Sequence, residues 1–227
     1  MIFCVGDSFT FGDELPDLPY WQRETPSQLA WPSKLESLLG VTVVNRGKPA
    51  CANSRIIKRA IDATLEKKYD IVIVAWSNPD RYEFIDQHEL YSDWPGRNPR
   101  GLMAKKLEWH QYLESRTTDD YFVWSHRRWL RDILLLQAFF TVNNQKYLMV
   151  QSHQSQHQNF LYLIHKNLHN DLADHIDTKY FPGWPCEGFV EWIGLSPRGP
   201  NGHPLELGHQ KIAEKINEYI RNLGWIS

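Results

Sequence analysis

Residues 1–12 read MIFCVGDSFTFG, and this stretch decides how the rest of the sequence is interpreted. Met1 to Val5 carries no charge, which predicts a short buried β-strand. Gly6, Asp7 and Ser8 follow directly, at a position where a serine can occupy a sharp strand-to-helix turn with its hydroxyl exposed above a sheet. Short acidic side chains brace such turns through backbone hydrogen bonds, and we expect this of Asp7.

Further apolar runs alternate with amphipathic segments along the chain. After the first strand, the predicted strands are Val41–Asn45, Ile71–Ala75 and Tyr147–Gln151. Helices are predicted to begin near Trp31, Ile56 and Tyr121, and another helix should run from the end of the fourth strand to about Leu172. A final helix carries Ile212, Ile216 and Ile220 on one face. This alternation predicts an α/β fold with a parallel sheet, whose functional residues lie at the carboxyl ends of the strands. We expect one domain over residues 1–227, with an insertion at about 79–120 that is rich in Trp, Arg, Pro and Gly.

Composition excludes several functions. There are 25 Lys and Arg residues against 27 Asp and Glu, which disfavours dedicated nucleic-acid binding, and the longest apolar run, Ile133 to Val142, is too short for a membrane span. Three cysteines without a CxxC pair indicate neither a disulfide framework nor a zinc cluster. No secretory signal is recognised, so we expect a cytoplasmic protein that begins at Met1, and the oligomeric state is left open.

A nucleophilic serine needs a base, and His203 is the candidate. It lies in the loop before the last predicted helix, and that loop should open on the same edge of the sheet as Ser8. His209, at the start of the last helix, is an alternative base or a residue bonded to the preceding turn. His153 with His157, and His165 with His169, have the spacing of metal pairs but also that of a solvated helix face, without an acidic third ligand in an HExxH frame.

Four segments together resemble the SGNH (GDSL) hydrolase family. They are GDSFTFG (6–12), PACANSR (49–55), WSNPDR (76–81) and NGHPLELGHQKIAEKI (201–216), in the order of that family's blocks. The resemblance implies a three-layer α/β/α, flavodoxin-like fold and a serine esterase without metal or cofactor. It also implies that Ser8 is the nucleophile and donates its own N–H to the oxyanion, that Asn78 donates its side-chain amide, and that His203 is the general base. The remaining backbone donor aligns to Ala50, or in another register to Gly47, and Ala50 would be strained if the loop required a positive φ there.

The sequence departs from the family at the third member of the triad. The family places an aspartate two or three residues before the histidine, where this sequence has Asn201 and Pro200. Replacing a triad aspartate by asparagine costs about 10⁴ in rate in a serine protease. Either His203 is oriented by Asn201 or a backbone carbonyl, or the enzyme is weakened. If Asn201 faces the imidazole, Asn201→Asp should increase turnover.

The favoured function is hydrolysis of an ester, most simply deacetylation of a carbohydrate or another small O-acyl ester. The partners expected are thus a small-molecule or glycan ester, and neither nucleic acid nor a membrane. The alternative is a glycan-binding or structural module that has lost efficient chemistry. Trp76, Trp94 and Trp109 could line a substrate groove or pack the insertion.

Overall fold

The computed structural model describes residues 1–18, 24–86, 89–93, 119–153 and 171–226. The strands are β1 (Ile2–Val5), β2 (Val43–Asn45), β3 (Ile71–Trp76), β4 (Tyr82–Asp86), β5 (Glu89–Asp93) and β6 (Tyr147–Gln151). The α-helices are α1 (Ser8–Phe11), α2 (Trp31–Leu39), α3 (Asn53–Glu66), α4 (Asp119–Val142), α5 (Phe189–Ile193) and α6 (Glu206–Asn222), with 3-10 turns at Asp171–His175 and Thr178–Tyr180. None of the described helices is long and apolar enough to cross a bilayer.

Four strands form a parallel sheet in the order β2-β1-β3-β6. Cys4 lies opposite Asn45, Val5 opposite Val74, and Trp76 opposite Gln151, so the carboxyl ends of all four strands meet at one edge. From β1 the chain goes first to β2 on one side and then to β3 on the other. The boundary between β1 and β3 is therefore a topological switch point, where open α/β sheets bind ligands. β4 and β5 form a separate antiparallel hairpin.

Helices cover both faces of this sheet. On one face α3 and α4 pack against β1 and β3, and their shared core includes Ile56, Trp129 and Phe140. On the other face α2, α5 and α6 enclose a second core that includes Trp31 and Ile216. The strands are buried on both sides, which is why they read as continuous apolar runs.

The predicted α/β architecture is confirmed, with small differences at the ends of elements. Pro32 lies in the first turn of α2, where its missing N–H costs nothing, and Gly40 ends that helix at φ 65°. Within the predicted insertion, residues 82–86 and 89–93 form the antiparallel hairpin, whereas residues 94–118 lie outside the described part of the chain. The helix expected after the fourth strand falls on residues 154–170, which are also outside it. Cys4, Cys51 and Cys186 are free thiols.

Candidate active site

The turn after β1 holds Ser8 at the first position of α1. Asp7 caps this short helix, because its Oδ1 accepts the Phe9 N–H at 3.1 Å. Gly6 must be glycine, since a Cβ there would collide with the Thr10 side chain. Ser8 is 5% exposed, and the hydrogen bonds that fix the turn among described residues leave its own N–H unused. The hydrogen bond from the Phe9 N–H to Asp7 is the bracing contact that the sequence predicts for Asp7.

Asp7 is fully buried and has charged or ionisable neighbours that the sequence did not reveal. Its Oδ2 lies 2.7 Å from His153 Nε2 and 3.9 Å from an Arg81 guanidinium nitrogen. Burial raises the pKa of the Asp7 carboxyl, but His153, Arg81 and the Phe9 N–H outweigh burial and lower that pKa to about 2. Asp7 is thus a carboxylate at neutral pH, immediately before the candidate nucleophile.

A tight hairpin before α6 presents His203. Arg198 and Pro204 pair across it, the Gly199 N–H donates to the His203 carbonyl at 2.9 Å, and Gly202 takes φ 85° at its tip. The His203 ring meets the Phe9 ring edge-on, with centroids 5.5 Å apart. Because Phe9 follows Ser8, this contact brings the candidate base to the turn that carries the candidate nucleophile.

A carboxylate does orient His203, and it comes from Glu14. Glu14 Oε2 lies 2.8 Å from His203 Nδ1, and the side chains are 11% and 17% exposed respectively. Burial raises the pKa of the Glu14 carboxyl, but hydrogen bonds from the Asn201 backbone and from His203 hold it below its ordinary value. An ionised Glu14 accepts a hydrogen bond from the His203 Nδ1–H, which leaves the Nε2 lone pair of His203 to act as a base.

Asn201 therefore does not occupy the place predicted for it. Its backbone N–H and its side-chain amide both donate to Glu14 Oε1, at 2.9 and 2.8 Å, so it supports the carboxylate and does not accept from the imidazole. The physical reason is the hairpin geometry, which turns Asn201 toward the loop after α1. In this chain Glu14 takes the position against Nδ1 that the resemblance gives to an aspartate before the histidine.

The backbone geometry that delivers Glu14 explains why sequence reasoning missed it. Glu14 adopts φ 69°, which a non-glycine residue rarely does, and a Cβ at Gly199 would meet the Glu14 carboxyl carbon at 2.7 Å. Neither a left-handed glutamate nor a close approach between residues 14 and 199 leaves a motif. The one available signal was an acidic residue six positions after the serine.

The loop after β2 carries both residues considered as a backbone oxyanion donor, Gly47 and Ala50. The Gly47 N–H is occupied, since it donates to Asn45 Oδ1 at 2.9 Å, and a Cβ on Gly47 would lie 2.5 Å from Phe11 N. Gly47 is thus needed for close packing against α1. Ala50 adopts φ 55°, the strained conformation considered from the sequence, which glycine would adopt without strain.

Asn78 lies two residues after β3, the strand adjacent to β1. Its Oδ1 accepts the Asp80 N–H at 2.9 Å, which fixes the oxygen end of the amide and leaves the Nδ2 end as a donor. Asn53 joins this loop to that of Ala50, because its side chain both donates to the Ser77 carbonyl at 3.0 Å and accepts the Ser77 N–H at 2.8 Å. Sheet topology thus gathers Ser8, Ala50 and Asn78 at neighbouring strand ends.

Three of the other candidates lie in the described part of the chain, namely His209, Trp76 and His153. His209 is fully buried and its Nδ1 accepts the Trp31 N–H at 3.1 Å, while burial lowers its pKa to about 3. It is a neutral structural acceptor at the start of α2. Trp76 is core, being fully buried in β3. His153 follows β6 in a bend and not in a helix. The remaining candidates, Trp94, Trp109, His157, His165 and His169, lie outside the described residues.

A family model matches residues 12–227, which is nearly all of the sequence, and the matched family is DUF6071, a family of unknown function. The chain belongs to DUF6071. The DUF6071 match includes Glu14, Ala50, Asn78 and His203, and it begins four residues after Ser8. No curated protein matches the sequence.

Solved structures show what this DUF6071 chain is similar to. An acetyl xylan esterase (Est2A) from the rumen bacterium Butyrivibrio proteoclasticus is 12% identical, with a TM-score of 0.55, over 100% of this chain and 64% of that chain. TesA is 13% identical, with a TM-score of 0.55, over 98% of both chains. A protein of the G-D-S-L family from Desulfitobacterium hafniense DCB-2 is 15% identical, with a TM-score of 0.49, over 96% of this chain and 98% of that chain. The likeness to the first two shows the fold.

Proposed function

We propose that this DUF6071 protein is a serine ester hydrolase in which Glu14, His203 and Ser8 form the catalytic triad. The observation that carries the proposal is the 2.8 Å contact between Glu14 and His203 Nδ1, beside the turn of Ser8. A histidine held by a carboxylate through one ring nitrogen has its other nitrogen available as a base, which is the arrangement that activates serine hydroxyls. Glu14 supplies the charge that Asn201 could not.

In the proposed cycle His203 removes the Ser8 hydroxyl proton as Ser8 Oγ attacks the ester carbonyl. The tetrahedral intermediate collapses to an acyl-serine, and the alcohol leaves with the proton from His203. Water then attacks the acyl-serine with His203 again acting as base, and the carboxylic acid is released. Glu14 stabilises the imidazolium that forms twice in each turnover.

The negative charge on the carbonyl oxygen needs fixed donors. We assign this role to the Ser8 N–H, the Ala50 N–H and the Asn78 amide, which lie on the loops after β1, β2 and β3. Removing one such donor costs about 10²–10³ in kcat in a serine protease.

For the substrate we propose a small O-acyl ester, with an acetylated carbohydrate as the favoured class. Support comes from the fold shared with an acetyl xylan esterase. The flat faces of aromatic rings suit sugars, and the chain has 10 Trp, 10 Tyr and 10 Phe residues.

Hydrolysis of p-nitrophenyl acetate and labelling by a fluorophosphonate probe test this proposal. We expect the wild-type protein to do both, Ser8→Ala to do neither, and the matched control Ser37→Ala to behave as wild type, since Ser37 is an exposed residue of α2 bonded to the Ser33 carbonyl. Acetate release from a panel of acetylated glycans would then identify the substrate. Silence of the folded wild-type protein in both assays would refute the hydrolase and favour a binding or structural module.

A further inference from the structure

Arg81 is a buried cation behind the candidate site that the proposed chemistry does not use. Its side chain is 6% exposed, and it follows the loop that leaves β3. Arg128 of α4 holds the backbone here, because its guanidinium donates to the carbonyls of Pro79 and Arg81 at 3.3 Å. Burying a guanidinium is costly unless it is paired, so the partners of the Arg81 guanidinium indicate its role.

Two partners of the Arg81 guanidinium lie on the loops after β1 and β2, which carry two of the proposed oxyanion donors, and Arg81 itself ends the third loop. One guanidinium nitrogen donates to the Cys51 carbonyl at 3.1 Å, and Cys51 directly follows Ala50. The same nitrogen lies 3.9 Å from Asp7 Oδ2, and Asp7 directly precedes Ser8. The Arg81 N–H donates to the carbonyl of Asn78 at 3.1 Å.

The charge of Arg81 also matters for chemistry at Ser8. Asp7 is ionised and fully buried, and a carboxylate adjoining the nucleophile would repel negative charge that develops on a substrate carbonyl. A cation beside Asp7 Oδ2 offsets that repulsion. Guanidinium suits the position because it is always charged, and one of its nitrogens lies near both the Cys51 carbonyl and the Asp7 carboxylate.

We propose that Arg81 is a positioning residue whose guanidinium holds the loops of the Ser8 and Ala50 donors in one arrangement and neutralises Asp7 behind them. This inference rests on the proposed ester hydrolysis. In this proposal Arg81 acts from behind the oxyanion donors, so its loss should lower kcat through those donors.

The test compares Arg81→Gln and Arg81→Lys with Arg131→Gln, a control on the exposed face of α4 where the arginine pairs only with its neighbour Asp132 among described residues. We expect Arg81→Gln to lower kcat for p-nitrophenyl acetate about 10²-fold, the scale of a misplaced catalytic group, with KM and the pH profile nearly unchanged. Arg81→Lys keeps the charge but not the fork of donors and should fall between. The control should match the wild-type protein.

A second readout does not depend on activity. In ¹⁵N-correlation spectra, Arg81→Gln and Arg81→Lys should shift the backbone amides of Ser8 and Ala50, whereas Arg131→Gln should not. If the wild-type protein hydrolyses no ester, the proposed function fails. Independently of activity, the positioning role is refuted if these amide signals have the same chemical shifts in the Arg81 variants as in the wild-type protein. If the wild-type protein is active, a kcat within about 3-fold of wild type in folded Arg81→Lys and Arg81→Gln would overturn the inference.

Discussion

Replacing Glu14 by glutamine removes the charge that faces His203 while it nearly keeps the size of the side chain. Two unit charges about 4 Å apart attract by about 4 kcal/mol at an effective dielectric constant of about 20, which corresponds to about 10³ in rate. Glu14 and His203 are 11% and 17% exposed, so screening by solvent reduces this attraction. A glutamine amide can also donate to Nδ1 and hold the wrong tautomer, which raises the cost again. We therefore expect kcat for p-nitrophenyl acetate to fall about 10²–10⁴-fold.

Steady-state kinetics over a range of pH measure this effect, with circular dichroism to confirm folding. Glu66→Gln is the matched control, because Glu66 is an exposed carboxylate at the end of α3. A loss below about 10-fold in folded Glu14→Gln would show that Glu14 does not supply the third member of the triad.

Asn201→Asp distinguishes the two assignments of the orienting residue. If Asn201 faced the imidazole, as the sequence alone allows, this change would increase turnover. The Asn201 amide instead donates to Glu14 Oε1 at 2.8 Å, so an aspartate there would remove a donor and set two carboxylates side by side. We now expect turnover to fall, and a rise would restore Asn201 as the residue that faces the imidazole.

Two further predictions concern stability. Ala50→Gly should raise the free energy of unfolding by about 0.5–1 kcal/mol. The reason is that φ 55° costs a non-glycine residue about 1–2 kcal/mol, whereas glycine loses about 0.5–1 kcal/mol to chain entropy. Urea denaturation measures this free energy, and a loss of stability in Ala50→Gly would contradict the strain at Ala50. His209 has a pKa of about 3 in the fold against 6.5 ordinarily, so between these values only the unfolded chain binds its proton and stability falls as pH drops. In His209→Asn, the asparagine Oδ1 can still accept the Trp31 N–H. The slope of the free energy of unfolding against pH should be smaller than in the wild-type protein by about 1.4 kcal/mol per pH unit between pH 6 and pH 4. Equal slopes in the two proteins would refute a neutral buried histidine.

The sequence by itself determined the architecture and most of the proposed site. Strands buried on both faces leave uncharged runs, and helices that cover a sheet leave a 3.6-residue period, so the parallel α/β sheet could be predicted from local patterns. Because parallel strands end at one edge, the positions of Ser8 and Asn78 after their strands sufficed to bring them together. Single-domain organisation and cytoplasmic location stay predictions.

Only the tertiary structure decided which groups surround these residues. Glu14 reaches His203 across 189 positions through a left-handed backbone and a close approach at Gly199, and Arg81 reaches Asp7 and Cys51 from a third loop. Such contacts depend on where loops cross in space and on single backbone angles, which leave no periodicity in the sequence. The carboxylate expected beside the histidine in sequence is instead supplied from the far end of the chain, because a hydrogen bond depends on the distance between two atoms and not on the spacing of their residues.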